Sequence, residues 1–270
     1  MPLSSEQINQ FRREGFLVVN DFFTPAQTRA LQADVARLKN EGKLNNVRTQ
    51  NDGQTASSDK QNLQLCPAST HSPLIKALPF EKKVIDTVTQ LIGPDIILHL
   101  DQIFLKPGLR GTGTNWHQDN AYFKIKDPLQ GTAMWIAVDD ATIANGTMRL
   151  IPQSFSTLLP HERDPESNHH IRCYPDEMKS VAVEVPAGSV AFFCYGTPHC
   201  TMGNNTLKDR AGLALHFLTY EAARSGAEHE NFKVGREGRP ALTGPEASNG
   251  VNEYKQNMTD EFEKLVAHNQ

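Results

Sequence analysis

Residues 96–104 have the sequence IILHLDQIF, an apolar run that three polar side chains interrupt. A short run of apolar and β-branched residues is typical of a buried strand. Similar apolar segments, separated by turn residues, continue from Asp95 to Tyr220. The pattern therefore predicts a mainly β protein, with a double-sheet core over about residues 95–220 and helices packed outside it.

The N-terminal part of the chain, residues 1–93, carries the capping residues of helices. Serine, threonine and proline stand where a helix would begin, and glycine where it would end. The predicted elements are a helix from Ser4 or Ser5 to Gly15, a strand at 16–19, a helix that begins at Thr24-Pro25, and a helix at 79–91.

The length of 270 residues suits one all-β domain or two small ones. We expect a single domain over 1–270. Residues 41–62 are polar and rich in turn residues, which predicts either a loop over a site or a disordered segment. Residues 224–270 form a polar C-terminal tail, with a possible last helix at 259–267.

Charge and composition exclude several classes of partner. The net charge is −4 and no basic patch is evident, which argues against nucleic acid and anionic membranes. The N-terminus has no apolar signal region, and no run approaches membrane-spanning length. The four cysteines form no C-x-x-C pair, which favours reduced thiols. We therefore expect a soluble, cytoplasmic protein that acts on a small molecule; the sequence leaves its oligomeric state open.

Trp116-His117-Gln118-Asp119 places a histidine and a carboxylate two positions apart. On a β-strand such residues project from the same face, so His117 and Asp119 would point together. Neutral imidazole and carboxylate groups suit Fe(II), and one more histidine would complete a facial triad with open coordination positions. His199 is the candidate for that third ligand.

Arg210 follows His199 after a turn at Gly203-Asn204-Asn205. We expect His199 and Arg210 on neighbouring antiparallel segments, where the guanidinium could bind a carboxylate through two parallel hydrogen bonds. The alternative for Arg210 is a surface salt bridge with Asp209 or Glu221.

A second triplet, His99-Leu100-Asp101, has the same spacing but lies within the apolar run. Buried polar groups in such a strand are usually hydrogen-bonded, so we interpret this triplet as structural. The first triplet follows the glycine-rich loop 108–114, and functional residues tend to lie at such loop mouths.

At these residues the chain resembles the phytanoyl-CoA dioxygenase family of Fe(II)/2-oxoglutarate oxygenases. The resemblance extends from Phe11 to about Tyr220 and implies a double-stranded β-helix, a cupin-like jelly roll whose strands present the triad inside the barrel mouth. Its most specific parts are Lys106-Pro107-Gly108, residues 116–120 and 135–142, Asn145-Gly146, and the segment from His199 through Arg210.

The resemblance implies Fe(2+) and 2-oxoglutarate as cofactor and cosubstrate, with O2 as oxidant. Oxidative decarboxylation to succinate and CO2 would be coupled to hydroxylation of a C–H bond. Asp119 argues against halogenation, because related halogenases replace this carboxylate; desaturation and epoxidation stay open. The implied roles are iron binding by His117, Asp119 and His199, binding of the distal carboxylate by Arg210 and Thr201, and contact with 2-oxoglutarate by Trp135, Gln102 and Lys60.

Two expectations depend on this resemblance. If Gln102 faces the cosubstrate, alternation turns His99 and Asp101 to the opposite face, unless a bulge intervenes. The family's usual Pro-Gly-Ser-His is Pro152-Gln153-Ser154-Phe155 in this chain, which weakens any transfer of substrate identity.

The substrate is predicted from the segment 156–179, which is rich in charged and histidine residues. As a binding loop it would favour a small polar or anionic metabolite; otherwise it is a solvated loop. An acyl-CoA hydroxylase and a metal-binding cupin-like module without turnover are the alternatives. The candidate substrate residues are Asn120, Arg149, Arg163, His170 and Arg172.

Overall fold

In a computed structural model, which describes residues 2–225 and 239–268, antiparallel strands pair into sheets with helices on one side. The strands are β1 (Phe16–Val19), β2 (Asn45–Asn46), β3 (Leu63–Leu65), β4 (Ile96–Lys106), β5 (Thr114–His117), β6 (Gly131–Ala137), β7 (Met148–Leu150), β8 (Glu162–Arg163), β9 (Ile171–Arg172), β10 (Val181–Ala182), β11 (Val190–Cys194), β12 (His199–Thr201) and β13 (Arg210–Thr219). The α-helices are α1 (Ser5–Glu14), α2 (Pro25–Asn40), α3 (Pro73–Ala77), α4 (Lys82–Ile92), α5 (Asn120–Phe123), α6 (Tyr220–Ser225) and α7 (Glu261–His268).

The predicted double-sheet β core is confirmed, and it is a jelly roll. Within the described residues the large sheet has the order β1-β11-β6-β13-β4-β3-β2, and the small sheet has the order β10-β7-β12-β5. Side-chain alternation gives the large sheet two buried faces. In β6, Met134 and Ile136 pack against the helices, whereas Trp135 faces the small sheet. Burial of each such apolar side chain stabilises the fold by about 1.5–3 kcal/mol.

The N-terminal helices begin where their capping residues predict. Ser4 Oγ accepts a hydrogen bond from Gln7 N at 3.2 Å, and Gln7 Oε1 accepts one from Ser4 N at 2.9 Å. Gly15 ends α1 with a φ of 82°, a left-handed conformation that favours glycine. Thr24 caps α2 in the same reciprocal way, and Pro25 is its first residue.

Two segments differ from the sequence predictions. The helix predicted at 79–91 is divided into a 3-10 turn at Leu78–Phe80 and α4, because Glu81 is extended and caps the new helix by accepting from Val84 N. The second segment is the polar tail, whose residues 239–268 pack on the body of the protein, whereas 226–238 lie outside the described residues. Its apolar residues recur at helical spacing, and they reach the core as Met258, Phe262 and Val266.

The four cysteines Cys66, Cys173, Cys194 and Cys200 are free, as predicted. No helix in the described ranges 2–225 and 239–268 has the length and apolar character needed to cross a membrane. The assignment of residues 1–270 to a single domain stays a prediction.

Candidate active site

A cavity of about 610 Å³ lies between the two sheets. Inward-facing side chains of β4, β6, β12 and β13 form its inner wall, and loops form its mouth. The volume is within the range of small-molecule sites, roughly 300–1,000 Å³.

His117, Asp119 and His199 come together in the wall of this cavity, with ligand atoms that all lie within 4.8 Å of one another. Asp119 Oδ1 is 3.9 Å from His117 Nε2 and 3.8 Å from His199 Nε2. The two Nδ1 atoms are 2.8 and 3.0 Å from the carbonyl oxygens of Asn115 and Thr197. Because a carbonyl only accepts hydrogen bonds, each Nδ1 carries the proton and each Nε2 keeps a free lone pair.

The electrostatics of this cluster suit a divalent metal. Burial lowers the pKa of His117 to about 3 and that of His199 to about 4, so both imidazoles are neutral near pH 7. Asp119 Oδ2 is buried and accepts no hydrogen bond within the described part of the chain; His216 Nδ1 is 3.7 Å away. Two neutral imidazoles and a carboxylate with an unpartnered oxygen are the donor set of a mononuclear Fe(II) site.

The local backbone differs from the predicted strand at one point. β5 ends at His117, and Asp119 has helical φ and ψ of −57° and −33° at the start of α5. A turn, and not strand alternation, therefore brings Asp119 beside His117. His199 is added by strand pairing, since β12 pairs with β5 so that His199 lies opposite His117.

Gln118, between the two candidate ligands, holds this turn in place. Its buried side chain donates from Nε2 to Thr157 O at 2.9 Å and to Gly196 O at 2.6 Å. Its Oε1 accepts from Leu159 N at 2.8 Å. The polar residue between the two candidate ligands thus anchors two loops to this turn.

Arg210 lies in the wall at the inner end of the cavity and is fully buried. Its Nη2 donates to Gly146 O, but its Nε and Nη1 are buried without a hydrogen-bond partner among the described residues. Burial lowers the pKa of Arg210 to about 10, which leaves it charged near pH 7. Neither proposed surface partner is paired with it, since Asp209 binds Lys39 and Glu221 accepts from Gln130. A buried, incompletely paired guanidinium is suited to an anionic ligand.

The sequence analysis placed His199 and Arg210 on neighbouring antiparallel segments, but in the structure their strands belong to different sheets. β12 belongs to the small sheet and β13 to the large sheet, because residues 202–209 cross from one sheet to the other. Both residues line the cavity from these two sheets.

Lys106 is a second buried basic side chain in this wall, and the sequence analysis did not single it out as a site residue. Its Nζ donates to Thr201 Oγ1 at 2.7 Å and to Met202 O. Burial and the nearby Arg210 lower the pKa of Lys106. Alternation along β4 could have revealed it, because Gln102, Phe104 and Lys106 all face the cavity.

Trp135 and Gln102 line the cavity, as the resemblance implies. The Trp135 ring centroid is 5.7 Å from the Arg210 guanidinium carbon. Gly212 makes room for this ring, since a Cβ added there would lie 2.6 Å from Trp135 Nε1.

We expect Gly212→Ala to displace Trp135 and to lower the free energy of unfolding by roughly 1–3 kcal/mol, the usual cost of overpacking. Urea denaturation measures this change. Gly203→Ala is the control, because the added Cβ would approach only Gly111 O, at 3.2 Å. Equal stability of the two variants would show that Trp135 can move freely.

Two predicted residues lie outside the cavity wall. Lys60 is exposed and does not line the cavity. Arg149 is next to Met148 in β7, and alternation turns the two side chains to opposite faces of the strand. Met148 lines the cavity, and Arg149 does not.

Of the other candidate substrate residues, only His170 lines the cavity. Arg163 is exposed, and its guanidinium donates to His170 O at 2.5 Å and to Gly53 O at 3.3 Å. Arg172 forms an ion pair with Glu162 at 2.8 Å. The Asn120 side chain bonds the backbone of Ile125 and so closes its own turn.

The second triplet is divided between two environments. Asp101 accepts hydrogen bonds from Ser69 N and Ser69 Oγ, both at 2.7 Å, in a structural role. His99 is the extra residue of a β-bulge, since His216 pairs with Leu100 and Phe217 with Leu98. The bulge breaks the alternation that would turn His99 to the face opposite Gln102. The His99 ring therefore packs on Phe123, at 4.7 Å between ring centroids.

Both polar segments considered as loops over a site contribute to the cavity mouth. Asn45, Val47 and Asn62 come from the first, and residues 168–170 from the second. Thr49 N donates to Glu166 O at 3.0 Å, which joins the two segments.

Comparisons with known proteins agree with this geometry. The sequence model of the family described as phytanoyl-CoA dioxygenase (PhyH) matches residues 11–212. The chain is 24% identical over 242 residues to the ectoine dioxygenase of Nocardia farcinica, covering 80% of this chain and 78% of that enzyme.

Two solved structures share the fold. The non-heme alpha-ketoglutarate-dependent carbocyclase SnoK from nogalamycin biosynthesis has a TM-score of 0.68 at 20% identity, covering 80% of this chain and 84% of that one. EctD from S. alaskensis with 2-oxoglutarate and 5-hydroxyectoine has a TM-score of 0.65 at 23% identity, covering 82% and 78%.

Proposed function

Because this chain belongs to the phytanoyl-CoA dioxygenase family, we propose that it hydroxylates a C–H bond of a small polar metabolite beside His117, Asp119 and His199. The protein is a non-haem iron dioxygenase that depends on 2-oxoglutarate. Bound iron supplies the activation of O2, which converts 2-oxoglutarate to succinate and CO2 and the substrate C–H to C–OH.

The incompletely paired Arg210 at the inner end of the cavity is the observation that carries this proposal. Arg210 binds the distal carboxylate of 2-oxoglutarate through its Nε and Nη1 groups. Lys106 stands beside it and holds the Thr201 hydroxyl in place. A module that only bound metal would have no use for a buried, incompletely paired guanidinium in the same cavity, so this feature favours the oxygenase over the cupin-like alternative.

The remaining residues of the wall orient the reactants. His117, Asp119 and His199 hold the iron, and the carbonyls of Asn115 and Thr197 fix the two imidazoles. Trp135, Phe104 and Phe193 give this part of the cavity an apolar lining, which excludes water.

Two observations support hydroxylation of a small polar compound. Asp119 keeps a carboxylate in the position that halogenases leave open. The curated relatives are named for ectoine, which is itself a small polar compound. A cytoplasmic location remains an expectation from the sequence.

The test is anaerobic reconstitution with Fe(II) and 2-oxoglutarate, followed by ¹⁸O-labelled dioxygen and a metabolite library. We expect one compound to give succinate and a hydroxylated product in equal amounts, each with one labelled oxygen. Iron binding without any oxygen-dependent consumption of 2-oxoglutarate would instead support the metal-binding module.

A further inference from the structure

We propose that the substrate is an uncharged metabolite with several hydroxyl or amide groups, bound by a ring of neutral polar side chains at the cavity mouth. This inference rests on the proposed function and specifies its substrate class. The polar collar, as we name this ring, consists of Asn45, Asn62, Gln64, Asn168, His169 and His170.

The charges of the cavity wall are confined to its inner part. Among the described residues, its Lys, Arg, Asp and Glu side chains are Lys106, Asp119 and Arg210. Asp119 belongs to the metal cluster, and the two basic side chains lie at the buried end that receives 2-oxoglutarate. A carboxylate or phosphate in the outer part would lose its hydration without gaining a cation from the wall, which is unfavourable.

Two arginines of the segment 156–179 do not change this balance. Arg163 donates to the backbone carbonyls of His170 and Gly53, and Arg172 is paired with Glu162. Both lie outside the wall. Among residues 2–225 and 239–268, the wall of the outer cavity therefore offers no cation for the phosphates of an acyl-CoA or for the carboxylate of an amino acid.

The collar extends from the surface into the cavity. Asn45, Asn168 and His169 are exposed, whereas Gln64 and His170 are buried, at 5% and 8% of their full exposure. Tyr122 and Phe123 of α5 line the same cavity with aromatic faces. Amide and imidazole groups beside aromatic rings suit a ligand that carries both hydroxyl groups and C–H surface.

The buried part of the collar is oriented by its own hydrogen bonds. Asn62 Nδ2 donates to Thr114 Oγ1 at 3.2 Å, and its Oδ1 accepts from Gln64 Nε2 at 3.3 Å. The same Gln64 nitrogen lies 3.4 Å from His170 Nε2. Burial lowers the pKa of His170 well below its ordinary value, so this imidazole is neutral and Nε2 accepts.

This arrangement leaves one acceptor and one donor for a ligand. Neither Gln64 Oε1 nor His170 Nδ1 makes a hydrogen bond within the described residues. A hydroxyl or primary amide can donate to the first and accept from the second, whereas a carboxylate can only accept. A compound without such a group would leave these two atoms of largely buried side chains without a partner from the ligand, which weakens its binding.

The wild-type enzyme with Fe(II), 2-oxoglutarate and O2 tests the substrate class. Succinate release is compared across neutral polyols and sugars, neutral amides, carboxylates and zwitterions including ectoine, and acyl-CoA thioesters. We expect the strongest stimulation from a neutral compound. Stronger stimulation by a charged class would overturn this inference but leave the proposed function intact. Absence of 2-oxoglutarate turnover with every class would contradict both.

Variants of the collar test its residues directly. We expect Gln64→Leu and His170→Phe each to raise the Kd of that neutral compound about tenfold. Anaerobic calorimetry in the presence of Fe(II) and 2-oxoglutarate measures this Kd. The visible absorption band of the Fe(II)–2-oxoglutarate complex should persist in both. Gln90→Leu is the matched control, since it makes the same change on α4, outside the cavity wall.

Gln64→Glu covers the case in which the leucine variant fails to fold, because it keeps the size of the side chain. It removes the donor to Asn62 and adds a negative charge, so we expect weaker binding of the neutral compound with the visible band retained. Wild-type affinity in Gln64→Glu and His170→Phe together would contradict a role for the collar.

Discussion

Replacement of His117, Asp119 or His199 by alanine is expected to reduce succinate release to the level of metal-free protein. The reason is that each side chain supplies one of three ligand atoms that lie within 4.8 Å of one another. The visible band of the Fe(II)–2-oxoglutarate complex should disappear in all three variants. In metal-free protein, Asp119→Ala should not lower the melting temperature, because it removes a buried carboxylate oxygen without a hydrogen-bond partner among the described residues.

Asp101→Asn is the matched control, since Asp101 is the carboxylate of the second His-x-Asp triplet. It should keep the visible band and most of the succinate release. Because Asp101 accepts two hydrogen bonds from Ser69, its free energy of unfolding should fall by about 1–3 kcal/mol. Loss of iron binding in Asp101→Asn, with retention in Asp119→Ala, would reverse the assignment.

Arg210→Lys is expected to raise the Kd for 2-oxoglutarate about ten- to hundredfold. Lysine cannot form the two parallel hydrogen bonds of a guanidinium, and loss of one charge-assisted bond costs about 1.5–3 kcal/mol. Anaerobic titration of the visible band measures this Kd, and steady-state kinetics should show a larger change in KM for 2-oxoglutarate than in kcat.

Arg172→Lys provides the control, because Arg172 is paired with Glu162 outside the cavity. The same chemical change there should leave the affinity for 2-oxoglutarate unaltered. If Arg210→Lys also left it unaltered, another group, with Lys106 as the first candidate, would have to bind the distal carboxylate.

Local signals in the sequence predicted the helices and the double-sheet β core, whereas the jelly roll was implied by the family resemblance. Capping residues such as Ser4 and Thr24 act within one helical turn, and strand alternation acts within a few residues, so both can be read without the tertiary structure. The jelly roll was confirmed, and His117, Asp119 and His199 do meet in one cavity.

The features that sequence reasoning missed depend on distant parts of the chain. The helical turn at Asp119 is held by loops that bond Gln118, and the bulge at His99 depends on pairing with β13. Alternation from Gln102 along β4 could have revealed Lys106, but its hydrogen bond to Thr201, on the other sheet, could not be foreseen from the local sequence. Arg163 looked available for a substrate, yet it donates to backbone carbonyls that no local pattern reveals.

The hydrogen bonds of Gln118 connect the candidate metal cluster to the charged segment 156–179. Its side chain bonds Thr157 and Leu159, and its backbone nitrogen donates to His161 Nε2 at 3.1 Å. Gln118 lies between His117 and Asp119 in the chain, so a displacement of this segment pulls directly on both candidate ligands.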